Sequence, residues 1–494
     1  MAEGTTAADV RQFEVEAVNK KQNRPPLYAP RKKIHPKRTS GFFRTLKWWV
    51  MGVTLGIYYV TPWLRWDRGP GAPDQAVLID FPGRRFYFFF IEIWPQEVYY
   101  IAGLLIMAAL GLFLVTSVVG RAWCGYACPQ TVWTDLFIWV ERFIEGDRAA
   151  RIRLDKAPMS ASKAAKRLSK FAIWLLISLC TGGAWIFYFA DAPTLFVDLF
   201  TLQASSVAYA TVGVLTFTTF ALGGLMREQV CIYMCPWPRI QGAMMDEESL
   251  VVTYRADRGE PRGAYLKGRS WEGRGDCIDC NACVVVCPMG IDIRDGQQLE
   301  CITCALCIDA CDDVMGKIAR PRGLIDYDSV ANDRRRRESR PARLRFLRPR
   351  TLVYLTAWCA VGAIMLYVLF TRADLDVNVL HDRNPLFTRL ADGGIRNGYT
   401  IKVLNKAREQ RTLMLTVEDL AGATLTVVGS DDAIGSNSAY VTVKPDSLQS
   451  YRVLVTAPAA SLKGRDSTDI VLVLTEINTH ARATYNSIFR GPGK

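Results

Sequence analysis

The chain has 494 residues, half of them apolar, and 61 basic against 48 acidic side chains give it a net charge of +13. Its length excludes a lone small electron carrier and leaves room for several modules. Its apolar residues gather in long uncharged runs, which sets it apart from charge-rich soluble chains.

Residues 1–47 form a polar, basic segment with neither a short apolar stretch nor an A-x-A site. The first apolar stretch is therefore expected to be an uncleaved anchor rather than a signal peptide. Five stretches lack any charged residue, 48–64, 98–120, 171–190, 199–226 and 351–371. Against the roughly 20 residues that cross a bilayer as a helix, they predict five spans, the first bracketed by Trp48, Trp49, Trp63 and Trp66. Helices are expected at about 48–66, 98–120, 171–190, 205–226 and 351–371.

Basic residues orient the spans. The first 47 residues carry eleven basic and four acidic side chains, and segment 121–170 carries ten and five. Segment 65–97 has four and five, and 191–198 has two aspartates and no base. Residues 334–350 hold nine arginines and one glutamate. Positive charge is retained on the cytoplasmic side, so the N-terminus, segment 121–170 and segment 227–350 are expected inside and the C-terminus outside. Beside a span the arginine run reads as a topology signal that touches anionic lipid, not as a nucleic-acid patch. None of the fourteen cysteines lies in 65–97, 191–206 or 372–494, as expected if those segments face an oxidising exterior.

A matched pair of motifs follows spans two and four. Cys124-Gly-Tyr-Ala-Cys128-Pro129 and Cys231-Ile-Tyr-Met-Cys235-Pro236 each place two cysteines at i and i+4, on one face of a turn that the proline ends. Such thiols suit a soft metal such as Cu(I), a reversible dithiol–disulfide couple, or a further metal centre. Met226, Met234, Met244 and Met245 lie near the second motif and read first as packing residues; Cys180 and Cys359 read as small apolar residues within spans.

The densest signal lies in 227–350. Cys277, Cys280, Cys283 and Cys287 read C-x2-C-x2-C-x3-C-P, and Cys301, Cys304, Cys307 and Cys311 repeat the spacing. This is the ligand pattern of a two-cluster [4Fe–4S] ferredoxin, in which the fourth cysteine of each array crosses to the other cluster. The rule assigns Cys277, Cys280, Cys283 and Cys311 to one cluster and Cys301, Cys304, Cys307 and Cys287 to the other. Zinc sites usually space their thiolates as two C-x2-C pairs.

Beyond Arg372, alternating β-branched runs at 399–404, 411–418, 423–428, 439–444, 451–456 and 468–475 predict an immunoglobulin-like sandwich over 372–494 without an intersheet disulfide. Turn signals include Gly429-Ser430-Asp431-Asp432 and Lys444-Pro445-Asp446; His381 and His480 read as solvated or turn histidines. The fold class is thus a multi-domain membrane protein: helical transmembrane bundle, two-cluster ferredoxin-like domain, all-β sandwich. No histidine lies in an expected span, no C-x-x-C-H occurs, and no Walker or G-x-G-x-x-G loop opens a helix.

The string from Gly120 through Arg121, Trp123, Cys124, Cys128 and Pro129 to Asp135 resembles the signature of the CcoG/FixG/RdxA family. So does Cys287-Pro288-Met289-Gly290-Ile291-Asp292-Ile293-Arg294-Asp295-Gly296 running on to Cys301, and Phe81-Pro82 with Arg84-Arg85-Phe86. The resemblance covers nearly the whole chain; Asp312 follows Cys311 where many ferredoxin arrays carry proline. It implies an accessory protein of the bacterial inner membrane for assembly of cbb3-type cytochrome c oxidase, a cupric reductase passing electrons through two [4Fe–4S] clusters to Cu(II). Cys124, Cys128, Cys231 and Cys235 would then be the thiols that meet copper, the substrate. Implied partners are membrane lipid, oxidase subunits or copper chaperones and transporters, and an electron donor the sequence does not name. Two other readings stay open: a quinol-linked membrane polyferredoxin, and a scaffold whose clusters are structural.

Overall fold

A computed structural model describes residues 33–492 apart from positions 70, 266–267, 269, 430–432, 435–436 and 463–464. Residues 1–32 of the basic segment and most of the Gly429–Asp432 turn lie outside the described residues. The chain divides into two compact units, 1–365 and 366–494.

In the first unit, helix α1 (Phe42–Val60) leads into the hairpin strands β1 (Val77–Asp80), β2 (Arg85–Phe88) and β3 (Ile91–Ile93), which pair in that order. Then come α2 (Tyr99–Val119), α3 (Ala122–Tyr126), α4 (Pro129–Glu145), α5 (Arg148–Lys156) and α6 (Ala161–Gly182). They are followed by α7 (Ala192–Phe200), α8 (Ser206–Thr219) and α9 (Trp237–Met244). Two π-helical segments, Phe220–Met226 and Val230–Met234, lie between α8 and α9. The ferredoxin region holds β4 (Val251–Tyr254), α10 (Ala256–Gly259), α11 (Ala282–Val286), α12 (Leu306–Lys317), β5 (Ile325–Asp328) and α13 (Val330–Arg337), and β4 pairs with β5. Helix α14 (Pro349–Phe370) follows.

Four helical stretches are long and apolar enough to cross a membrane: Pro95–Val119, Ala161–Tyr188, Ser206–Met226 and Pro349–Phe370. Five were expected, and in the described residues expected span one is the one not among these four. Expected span one does form α1, but α1 starts at Phe42 and carries Arg44 and Lys47 in its first turns. Pro62 lies in a 3-10 turn directly after it. The 19 residues of α1 rise about 28 Å and run from Arg44 N, on Asp309 of α12, to Tyr58 Oη, on Thr181 O of α6, so the charges at its start and not its length set it apart from the four. Expected span three also starts earlier, at Ala161, because the Ser160 hydroxyl caps the helix by accepting from Lys163 N at 3.2 Å.

The second unit is the expected sandwich. Strands β6 (Leu375–His381), β7 (Thr388–Arg389), β8 (Gly394–Asn405), β9 (Arg411–Glu418) and β10 (Thr424–Val427) precede β11 (Ala433–Ile434) and β12 (Ser438–Val443). Strands β13 (Ser447–Pro458), β14 (Ser467–Glu476) and β15 (Arg482–Arg490) complete it. One sheet runs β10-β13-β8-β6 with β7 on β8, the other β11-β12-β9-β14-β15, and every pairing is antiparallel. Alternate residues such as Ile401, Val403, Leu413, Leu415, Val453, Val455, Leu472 and Leu474 meet in the core. His381 is held within the fold, its Nε2 2.6 Å from Asn397 Oδ1, and His480 takes the left-handed turn position (φ 57°) between β14 and β15.

Candidate metal centres

The two ferredoxin arrays fold as copies of one loop. In each C-x2-C-x2-C run, the residue before the second cysteine and the residue after it are left-handed: Asp279 (φ 52°) and Asn281 (58°), then Thr303 (57°) and Ala305 (60°). That backbone turns consecutive N–H groups inward, an arrangement that favours anions. The Cys280 sulfur accepts from Ala282 N–H, Cys301 from Thr303, Cys304 from Leu306, and Cys287 from Met289 and Ile291. The short helices α11 and α12 start directly after the left-handed Asn281 and Ala305.

The tertiary fold sorts the eight thiols. Cys311, on α12, faces Cys277, Cys280 and Cys283 of the other array, while Cys287 faces Cys301 and Cys304. Cys307 is surrounded by Cys304, Cys301 and Cys287. A cavity lies among Cys283, Cys287, Cys301, Cys304, Cys307 and the buried Ile302. Burial pushes the Cys301 thiol up to about 11 and Cys287 up to about 12. Thiolates in so apolar a place call for positive charge at the sulfur, which an iron–sulfur core provides. The residues present fit two cubanes.

Cations flank both groups. Arg294 donates to Asp292 (2.7 Å), Asp279 (2.5 Å) and Asn281 (2.5 Å) beside the first. These bonds, with the nearby Cys283, hold its guanidinium charged against the opposing effect of burial. Lys47 acts on Cys304 and Arg121 on Cys301.

The twin motifs share a backbone that their sequences do not advertise. The residue four before the first cysteine has φ 57°, ψ −132° at Gly120 and φ 47°, ψ −115° at Arg227. Only glycine takes this region without strain, and a Cβ at Gly120 would also stand 2.7 Å from Leu250 O. Arg227 is held there by Glu141 (2.6 Å), by its own Nε donating to Gly224 O (2.9 Å), and by the ring of Trp174. After each second cysteine a proline sits at the start of a helix, α4 or α9.

Side chains cross between the motifs. Gln130, next to Pro129, donates to Leu222 O (2.8 Å) and Arg227 O (3.2 Å) at the entry to the second motif. Gln241, in α9, accepts from the Cys124 thiol at 3.1 Å. Cys231 lies within electrostatic reach of Cys128, Cys124 and Cys235, and burial raises its thiol to about 12. Burial likewise raises Cys124, and Arg121 opposes that rise. The four cysteines, expected to be functional as two pairs, are brought to one place.

That place abuts the second ferredoxin group. Cys124 and Cys231 pack on the ferredoxin core. A Cβ at Gly125 would stand 2.7 Å from Ile302 O, 3.0 Å from Cys304 Cα and 3.1 Å from Cys304 N, so glycine is required for the approach. Tyr126 Oη donates to Cys304 O (3.3 Å), and Tyr327 Oη donates to Thr303 O (2.7 Å). Of the nearby methionines, Met244 sulfur accepts from Tyr354 Oη at 2.9 Å and Met234 is exposed. Cys180 and Cys359 lie exposed on apolar helices, apart from both groups. Sequence reading assigned no role to Arg121, Gln130 or Gln241: Gln130 and Gln241 act across the fold, where spacing along the chain carries no signal, while Arg121 stands only three residues before Cys124.

Comparison with known proteins gives consistent matches. A 4Fe-4S dicluster domain profile matches residues 226–330, a 4Fe-4S binding domain profile 101–146, and the IG-like fold at the C-terminal of FixG 365–492. The nitrogen fixation protein FixG of Rhizobium meliloti is 56% identical over 516 residues, covering 99% of this chain and 98% of the relative. Protein RdxB of Cereibacter sphaeroides is 56% identical, covering 94% and 98%, and protein RdxA of the same organism 59% identical, covering 82% and 86%. A crystal structure of a FixG-related protein from Vibrio parahaemolyticus is 22% identical, with a TM-score of 0.20, over 24% of this chain and 96% of that one.

Proposed function

The chain belongs to the FixG family, and from that premise we propose a membrane-bound iron–sulfur electron-transfer protein that reduces Cu(II) to Cu(I) for assembly of a cbb3-type cytochrome c oxidase. Cys277, Cys280, Cys283 and Cys311 hold one [4Fe–4S] cluster, and Cys301, Cys304, Cys307 and Cys287 hold the other. When bound, such clusters supply one-electron transfer at potentials tuned by hydrogen bonds to sulfur and by nearby charge. The chain's part is to hold them dry and to aim them. The backbone N–H groups at the sulfurs, Arg294, Lys47 and Arg121 offset the negative charge.

The observation that carries this reading is the contact of Gly125 with the Cys304 backbone. It sets the cysteines of the twin motifs against the second cluster's ligands, which supports Cys124, Cys128, Cys231 and Cys235 as the site where copper, a substrate, takes one electron that originates from a soluble donor or a quinol. Helix α14 separates the ferredoxin region from the sandwich and is long and apolar enough to cross once. With nine arginines at 334–350 retained inside, the ferredoxin region faces the cytoplasm and the sandwich the periplasm. Oxidase subunits or copper-handling proteins are the partners this role requires. In the Cys124→Ser/Cys128→Ser protein, cluster content is expected to persist in the ferredoxin region while Cu(II) reduction falls at least tenfold. An unchanged rate at full cluster content overturns the assignment.

A second reading concerns the electron source, and one cavity favours it. About 560 Å3 of space lies between the start of α1 and the end of α4, lined by Arg38, Arg44, Trp48, Trp139, Arg142 and Phe143. Its wall is tied to α12, since Phe43 N and Arg44 N donate to Asp309 at 3.2 and 2.7 Å. An aromatic and basic pocket there suits a quinol headgroup. Cluster reduction on adding a quinol to protein in bilayers, slowed by Trp139→Ala, supports it; no reduction sinks it.

A further inference from the structure

We propose that Cys124, Cys128, Cys231 and Cys235 together hold a third iron–sulfur cluster, with Arg121 as its counter-cation. The proposal rests on the electron-transfer reading above and gives the copper-reducing site a resident metal centre. Three observations carry it.

The first is the duplicated backbone. Two copies of one turn, each with the same unusual conformation four residues before its first cysteine, are linked by Gln130 and Gln241 so that their thiols face each other. Backbone strain at a non-glycine residue persists only where the surroundings hold it, and it gathers at functional sites. At Arg227 the holding partners are an ion pair, a hydrogen bond and an aromatic ring. Packing alone gives no reason to keep this conformation twice.

The second is Arg121. It is 3% exposed, its Nη1 donates to Leu299 O, and its Nε has no acceptor. Among the described residues no carboxylate lies within ion-pair distance of it, and the groups around it are the sulfurs of Cys124, Cys231 and Cys301. A buried guanidinium without an acid is costly, because it cannot shed its proton. A cubane on four thiolates is an anion, so a centre at the twin motifs removes that cost. Its place between the twin motifs and Cys301 suits one cation serving two adjacent negative centres.

The third is the ligand count. The 4Fe-4S binding profile at 101–146 includes Cys124 and Cys128 only, half a ligand set, and the fold completes it with Cys231 and Cys235.

The test uses full-length protein purified anaerobically in detergent, with iron and acid-labile sulfide measured per chain. About twelve of each are expected, against about eight for the ferredoxin clusters alone. Cys231→Ser/Cys235→Ser is expected to remove about a third of both while the spectrum of the ferredoxin clusters persists. Arg121→Gln, which leaves every ligand in place, is expected to keep the iron and to lower the midpoint potential of the third signal, with Arg121→Lys restoring part of the shift. A wild-type count of about eight overturns the proposal whether or not any variant folds. If that count is eight and Cu(II) is still reduced, the third cluster fails and the reductase stands. If it is twelve and Cu(II) is not reduced, the cluster stands and the reductase fails.

Discussion

The two cysteine-rich regions of the first unit reach a similar end by opposite routes. The ferredoxin arrays are local: three of each cluster's thiols lie within seven residues, on a loop whose left-handed positions aim N–H groups at sulfur. The twin motifs are assembled over a distance: Cys124 and Cys231 stand 107 positions apart and meet because Gln130, Glu141 and Gln241 reach across helices. A local site is robust to changes in its surroundings, whereas an assembled one inherits every weakness of the helices that carry it.

That difference can be broken at either end. The largest effect is expected from Cys304→Ala, which removes a ligand from the second ferredoxin group. About half of the iron held by the eight ferredoxin cysteines should be lost, along with much of the folding free energy of that region, as metal binding and folding are coupled. Iron analysis and protease sensitivity read it. Arg227→Ala should act on the twin motifs alone. It takes one cation from the buried Glu141, which Arg151 (3.0 Å) and Lys170 (3.4 Å) also contact. Leaving a buried charge unpaired costs about 3–5 kcal/mol; with two cations still on Glu141 the loss is smaller, and detergent-solubilised protein should unfold at lower temperature with the ferredoxin signals unchanged at rest. Loss of those signals as well would mean that the two regions do not fold independently of each other.

Gly125→Ala probes the seam. Its methyl meets the Ile302 and Cys304 backbone, and overpacking of this kind costs about 1–3 kcal/mol. Magnetic coupling between the second cluster and whatever the twin motifs bind should weaken, as read by EPR. Acid should act on the same helices. Burial alone would raise the Glu141 carboxyl, but Arg227, Lys170 and Arg151 hold it at about 2 against an ordinary 4.5. Its folded pKa is depressed, so its stabilisation is complete above pH 4.5 and is lost as pH falls toward 2. Glu141→Gln should flatten that part of the pH–stability profile. The smallest effect is expected in the sandwich, where Tyr399→Phe removes the bond from Tyr399 Oη to Ile488 O (3.0 Å) at a cost of about 1 kcal/mol. Iron content should not change.

Legibility in the sequence followed the range of the interactions. Six strands of the sandwich were readable from alternation, while β6, β7, β11 and β15 were missed; β7 and β11 are two residues each, β15 fully buries only Phe489, and β6 does alternate, with Leu375, Val377 and Val379 buried. Expected span one falls outside the four apolar helices because its helix begins at Phe42, before the uncharged run, and takes in Arg44 and Lys47.

Cysteine spacing by itself determined that this chain carries ferredoxin clusters, because three ligands of a cubane must come from one short loop. Hydropathy by itself determined that it meets a membrane, because a bilayer sets a length that composition either fills or does not. Only the tertiary structure decided that the four remaining motif cysteines share one place, that Gly125 brings it against Cys304, and that Arg121 lies buried there without an acid. Those facts depend on helices packed across more than a hundred residues, and no periodicity or spacing along the chain records which side chains such packing will bring together.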